Sequence, residues 1–229
     1  MGKKHHERHL TPRDFAILNA VIHYRALTNR LLFQACFESD LGMKNVDRVL
    51  LRLERRQLLR RVTFDIGHSF YAPTRRAFVL LGMRPHTPRP ITEQTLPCIL
   101  ATATYCIESG HRRLTAKEFR KRFPELWRHG MGASSYVLAN ESTDPHLEFL
   151  LFDRGGMANR IRSRVRRAIA QRIDNPEFCS LMSEGGFHIT VLTGTPEHQT
   201  KIQRRVSSGE FDPIEISVVV LPELKDLLV

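Results

Sequence analysis

The chain has 229 residues, 41% of them apolar and 26% charged, with four cysteines and a formal net charge of +11. That apolar content is too high for disorder to dominate, and no run of 18 apolar residues is present to span a bilayer. The first ten residues are basic and lack the apolar core of a secretory signal, so a cytoplasmic protein without a membrane partner is expected. Cys36, Cys98, Cys106 and Cys179 are scattered, with no C-x-x-C, and read as reduced thiols of a core rather than bridges or zinc ligands.

The charge is unevenly placed. Residues 1–90 hold 17 Lys and Arg against 7 Asp and Glu, whereas residues 91–229 hold 18 against 17. A compact cationic module joined to a near-neutral one points to a polyanionic partner, most simply nucleic acid. Between the two, Met83-Arg-Pro-His-Thr-Pro-Arg-Pro90 cannot continue a helix and stiffens a connector. The expected domains are therefore 1–88 and 91–229.

In the first domain, Thr11-Pro12-Arg13-Asp14 is a helix start, with a Thr cap, Pro at the first helical position and an acidic third residue. Phe15, Leu18, Val21 and Ile22 supply its apolar period. Tyr24 to Leu27 is a short extended link. Thr28 caps a second helix to Phe37. The third helix, about Lys44 to Gln57, carries the most informative pattern. At about 100° per residue from Arg48, Arg52 falls near 40°, Arg55 near 340° and Lys44 near 320°. Val46, Val49, Leu50 and Leu53 fall between about 100° and 200°. One face is apolar and the opposite face cationic. Arg60 to Phe64 and Ser69 to Ala72 then form a hairpin about the turn Asp65–His68, and Thr74 to Leu81 is a helix closed by Gly82.

Three short helices followed by a two-stranded ribbon is the layout of a winged helix-turn-helix. Such a domain packs the apolar back of its recognition helix on itself and shows donors to phosphates and base edges from the front. Lys44, Asn45, Arg48, Arg52, Arg55 and Arg56 fit that front. Arg60, Arg61 and His68 belong to the wing, within reach of phosphate or minor groove.

The second domain mixes helices (92–109, 115–123, 157–173, 196–206) with strands (136–139, 147–152, 187–192, 214–221), which indicates an α/β sandwich on a small sheet. Its helix 157–173 carries Arg160, Arg162, Arg164, Arg166, Arg167 and Arg172 around much of its circumference, suited to ion pairing, a secondary DNA contact or a dimer face. Asp144, Glu148 and Asp153 are a carboxylate set of the kind that holds a divalent metal in nucleases. No Lys occurs between Lys121 and Lys201 to complete such a site. His5, His6 and His9 read as a basic arm. No P-loop, Rossmann fingerprint, H-E-x-x-H or G-x-S-x-G is present, so no enzyme activity, cofactor or metal is expected.

Leu10-Thr-Pro-Arg-Asp-Phe15, Leu27-Thr28, Val49-Leu-Leu-Arg-Leu53, Leu58-Leu59, the Tyr71 strand before Thr74, Phe149-Leu-Leu-Phe-Asp-Arg-Gly155 and Phe187-His-Ile-Thr-Val-Leu-Thr193 resemble the replication-relaxation family. These are winged-helix proteins of plasmids and integrative elements, and the likeness covers most of the chain. The resemblance implies an α+β protein whose second domain is similar to a degenerate restriction-endonuclease-like fold. Asp144 matches its first acidic position and Asp153 a later one, but Leu151 stands where an acid belongs and Arg164 where a Lys belongs. That departure favours a retired nuclease fold used for dimerisation or DNA support. The expected function is sequence-specific binding of double-stranded DNA by a homodimeric transcriptional regulator of a mobile element. The alternatives are a DNA-processing nuclease, a relaxosome accessory factor, or a module whose basic half binds an acidic protein.

Overall fold

The chain divides into two units, Met1–Ile91 and Thr92–Val229. The computed structural model describes residues 10–37, 42–65, 68–84, 90–128, 135–140, 145–207 and 209–227. His5, His6, His9 and Asp144 lie outside them, as does the side chain of His68. Both units mix helices with sheet, and among the described residues no helix is long and apolar enough to cross a membrane.

The first unit begins with α1 (Pro12–Tyr24). The Thr11 hydroxyl accepts from the Asp14 backbone N–H at 3.2 Å, and the Asp14 carboxylate accepts from the Thr11 N–H at 2.9 Å. This reciprocal box satisfies donors that a helix start leaves open. Thr28 caps α2 (Asn29–Cys36), and α3 (Met43–Arg55) starts at Gly42 without a side-chain cap. Strands β1 (Leu59–Asp65) and β2 (His68–Pro73) pair antiparallel, with His68 already in the ladder opposite Asp65. The link after α1 adds to the same edge: Leu27 and Tyr71 exchange backbone hydrogen bonds at 3.1 and 2.8 Å. Helix α4 (Arg75–Leu80) closes the unit, and its cap residue Thr74 donates its hydroxyl to the Gln57 carbonyl at 2.6 Å. Ile17, Leu18, Val21, Leu27, Leu32, Val46, Leu50 and Leu53 make a fully buried core.

The second unit runs α5 (Leu96–Ser109), β3 (Arg112–Arg113), α6 (Ala116–Arg122), β4 (Tyr136–Ala139), β5 (His146–Phe152), α7 (Ala158–Ile173), α8 (Pro176–Ser183), β6 (Phe187–Thr193), α9 (Pro196–Val206), β7 (Glu215–Val220) and α10 (Glu223–Leu227). The sheet order is β3-β4-β5-β6-β7. The first three strands are antiparallel and the last three parallel, so α7–α8 and α9 serve as the crossovers that parallel pairing requires. Alternation along β5 separates its two faces. Leu147 and Leu151 join the core formed with Ile161 and Val165 of α7 and Ile202 of α9. Glu148, on the other face, meets Tyr105 of α5.

Two differences from the expected elements have local causes. Helix α5 starts at Leu96 rather than near Thr92, because Pro97 is accommodated in the first turn; Thr92 instead accepts and donates within a turn with Thr95. Helix α8 was not expected, although Asn175-Pro176 carries its signal: the Asn175 carboxamide accepts from the Glu177 and Phe178 N–H groups. The cysteines are free thiols; Cys106 is buried and the others half-buried. Burial pushes Cys106 up to about 12, which keeps it an inert thiol at neutral pH.

Arg172 of α7 lies inside this unit. Its guanidinium carbon sits 4.0 Å from the Phe149 ring centroid and 5.2–5.7 Å from those of Tyr136, Phe178 and Phe187. Its Nε donates to the Tyr136 hydroxyl at 2.9 Å. Burial depresses its pKa, opposed by the Tyr136 oxygen. Replacing Arg172 by Ala removes both the ring contacts and the Tyr136 donor. We expect a loss of about 3 kcal/mol in denaturant unfolding for Arg172→Ala, and a smaller loss for Arg172→Met, which keeps the volume.

Candidate nucleic-acid interface

Helix α3 is held by its apolar stripe. Val46, Leu50 and Leu53 are 0% exposed, each contributing roughly 1.5–3 kcal/mol of transfer free energy. The side chains of Asn29 and Asp47 tie α2 to α3 at 2.5 Å. With the back fixed, Lys44, Arg48 and Arg55 are exposed, and none of them forms an ion pair or hydrogen bond through its side chain among the described residues. Asn45 is half-buried beside them, and Arg56 is the half-buried C-cap residue.

Arg52 departs from the expected front. It is half-buried, and its guanidinium donates to the carboxylate of Asp14, whose side chain is only 1% exposed. The helical wheel explains this: of the arginines within α3, Arg52 lies closest to the apolar stripe, so it points along the domain surface toward the start of α1. The same carboxylate thus closes the α1 capping box and receives Arg52. A residue missing from the expected set takes a place on the front: Leu51 is 46% exposed at about 300° on the wheel, between Lys44 near 320° and Asp47 near 260°. An apolar side chain on a polar face was the signal available in the sequence. On the hairpin, Arg60 and Arg61 are exposed, and Arg61 Nε donates to the Ser69 hydroxyl at 3.1 Å.

The carboxylates of the second unit occupy two places. Glu148 is buried on β5; it accepts from the Tyr105 hydroxyl at 2.8 Å and meets His146 Nε2 at 3.2 Å. Burial first, and Glu148 second, push the Tyr105 phenol above its ordinary value, so it remains a donor. Asp153, just past the end of β5, accepts from the Thr193 hydroxyl at 2.9 Å and lies 2.8 Å from His198 Nδ1. Four residues of strand lie between the two acids, which puts them five steps or roughly 16 Å of extended chain apart, too far to share one metal ion. Among the described residues no group of three His, Cys, Asp or Glu is placed to hold a metal.

The arginines of α7 are sorted rather than displayed together. Arg162 and Arg166 both donate to Glu210. Arg164 donates to the Phe152 carbonyl, and burial lowers its pKa. Arg172 is enclosed by rings as described above. Arg160 remains exposed beside Gly156.

Comparison of the chain with protein-family models, with curated proteins and with solved structures finds no match. The functional reading therefore stands on the geometry of these residues.

The Asp14–Arg52 pair gives a stability test that separates it from the front arginines. Asp14→Ala leaves the Arg52 charge unpaired and opens the α1 box, and is expected to cost about 2 kcal/mol. Arg52→Ala is expected to cost about 1 kcal/mol, given its partial exposure. A double-mutant cycle in urea should return a coupling above about 0.5 kcal/mol for this pair and none between Asp14 and Arg48.

Proposed function

We propose that the first unit is a winged helix-turn-helix that reads double-stranded DNA, with α3 as the recognition helix and the β1–β2 hairpin as the wing. The observation that carries this reading is the division of α3 into a fully buried aliphatic back of Val46, Leu50 and Leu53 and an exposed front on which Lys44, Arg48 and Arg55 have no ion pair among the described residues. A helix seated in a major groove needs both: an apolar side that fixes its angle on the domain, and donors free to meet base edges and phosphates. Arg48 and Arg55 are positioned for guanine or phosphate, Lys44 for phosphate, Asn45 for an adenine edge, and Leu51 for a thymine methyl group. Arg60 and Arg61 follow the backbone beside the wing. Arg52 acts indirectly, by holding α3 against α1.

On this reading the protein is a transcriptional regulator of a mobile genetic element, as the resemblance to the replication-relaxation family implies. The second unit is a restriction-endonuclease-like sheet in which the described carboxylates Glu148 and Asp153 do not share a site, and it serves self-association or supports the DNA. A homodimer would place two recognition helices about 34 Å apart on an inverted repeat.

A protection assay on the DNA flanking the protein's own gene tests this. Arg48→Ala should weaken the protected site by about 1–3 kcal/mol while changing random-sequence binding far less. Arg60→Ala and Arg61→Ala should weaken both alike and each lower the salt slope by about one. Equal losses on both DNAs for Arg48→Ala would remove base reading from that position. No protection at low salt would remove the proposal.

A further inference from the structure

We infer that the second unit carries a binding site for a phosphate-bearing ligand of nucleotide size, at the carboxyl ends of β5 and β6. The loop that leaves β5, the first turn of α7 and the helix α9 that follows β6 border a cavity of about 850 Å³. That is within the usual range for small-molecule sites, and the carboxyl ends of parallel strands are where open α/β sheets bind ligands.

The chemistry of the wall sets the ligand class. Arg160 comes from the first turn of α7, and Lys201, Arg204 and Arg205 from α9. Among the described residues no carboxylate lines the cavity. Among the described residues none of these four cations forms an ion pair, although Arg162 and Arg166, on the same helix as Arg160, are both neutralised by Glu210. Four like charges held around one concavity repel one another, and an anion relieves that repulsion. The backbone adds to it. Met157 at the start of the 16-residue α7 makes no side-chain cap; the Arg160 N–H donates to the Met157 carbonyl at 2.9 Å, which leaves the Ala158 and Asn159 N–H groups at the cavity end uncapped by any side chain among the described residues.

His198 supplies a directional group. Its Nδ1 is held by Asp153 at 2.8 Å, and the same carboxylate oxygen accepts from Thr193 at 2.9 Å. Asp153 is 3% exposed and Thr193 is fully buried, so the ring is oriented from inside the unit. Nε2 is left as the nitrogen available to a ligand, donating to a phosphate oxygen when the imidazole is protonated. Met157, 69% exposed at the rim, offers an apolar surface to the organic part of the ligand. Two sources share this chemistry: a free mononucleotide, and the terminal phosphate of a nucleic-acid strand.

The test uses the full chain carrying Arg48→Ala and Arg55→Ala, so that DNA binding by α3 does not contribute. Amide ¹H–¹⁵N spectra are titrated with dAMP, with deoxyadenosine, with inorganic phosphate and with a 5′-phosphorylated single-stranded tetranucleotide. We expect saturable shifts of Gly155, Gly156, Ala158 and Asn159 with dAMP and none with deoxyadenosine. Combining Lys201→Gln with Arg204→Gln should weaken binding about tenfold or more, whereas Arg167→Gln, an exposed arginine of α7 outside the cavity, should change it less than about twofold. Saturation by the tetranucleotide alone would assign the site to a strand end and keep the proposal. Three results would overturn it: no saturation by any phosphate-bearing probe with Kd below about 1 mM, equal response to deoxyadenosine, or equal weakening by Arg167→Gln. Because α3 is disabled throughout, failure here leaves the DNA-reading proposal untouched.

Discussion

The buried carboxylate of Asp14 is the constraint on which the first unit turns. One oxygen closes the capping box of α1 and the other receives Arg52 from the far end of α3. A carboxylate this deep requires such partners, since an unpaired buried charge costs several kcal/mol. The requirement fixes the end of α3 against the start of α1, while Val46, Leu50 and Leu53 fix its back. What remains of the helix is an exposed face of Lys44, Arg48, Leu51 and Arg55 on a backbone held in place. Preorganisation of that kind matters for base reading, because a bidentate contact discriminates only if its donor arrives at a defined angle.

Identical residue types take different roles in α7 and α3 for reasons of position. Arginine has a long apolar stem and a head that carries several donors, so the neighbour within reach decides its state. Arg172 points at the sheet and meets rings and a tyrosine oxygen; Arg164 meets a strand-end carbonyl; Arg162 and Arg166 meet Glu210. In α3 the arginine nearest the apolar stripe finds Asp14, and those farther round find solvent. A count of arginines on a helix therefore says little about binding until each has been assigned an acceptor.

Much of this was legible in the sequence, and the failures share a cause. Elements with a cap and a long period were readable: Thr11-Pro12 starts α1, Thr115 with Glu118 starts α6, and Thr195-Pro196 starts α9. The strand β4 and the helix α9 fall where alternation and periodicity put them. Pairings across the chain were not readable. Arg52 with Asp14 spans 38 positions, Tyr105 with Glu148 spans 43 and His198 with Asp153 spans 45. Local patterns carry no information about such contacts, because strand order and helix docking decide them. The acids show the same limit: Glu148 and Asp153 are near in sequence, yet one lies on the α5 face of β5 and the other beyond its end.

Net charge also misleads at the scale of a domain. The second half of the chain holds 18 basic and 17 acidic residues, which reads as an indifferent surface. The fold nevertheless places Arg160, Lys201, Arg204 and Arg205 around one concavity without an acid, and spends Glu210 and Glu148 elsewhere. Potential at a site depends on separations of a few ångströms, and counterions screen beyond about 10 Å, so a neutral total is consistent with a strongly positive pocket. The spacing of α9 held the clue, because residues 198, 201 and 205 recur at helical intervals on one side while Ile202 and Val206 face the core. Read by face rather than by total, the second unit is as polarised as the first.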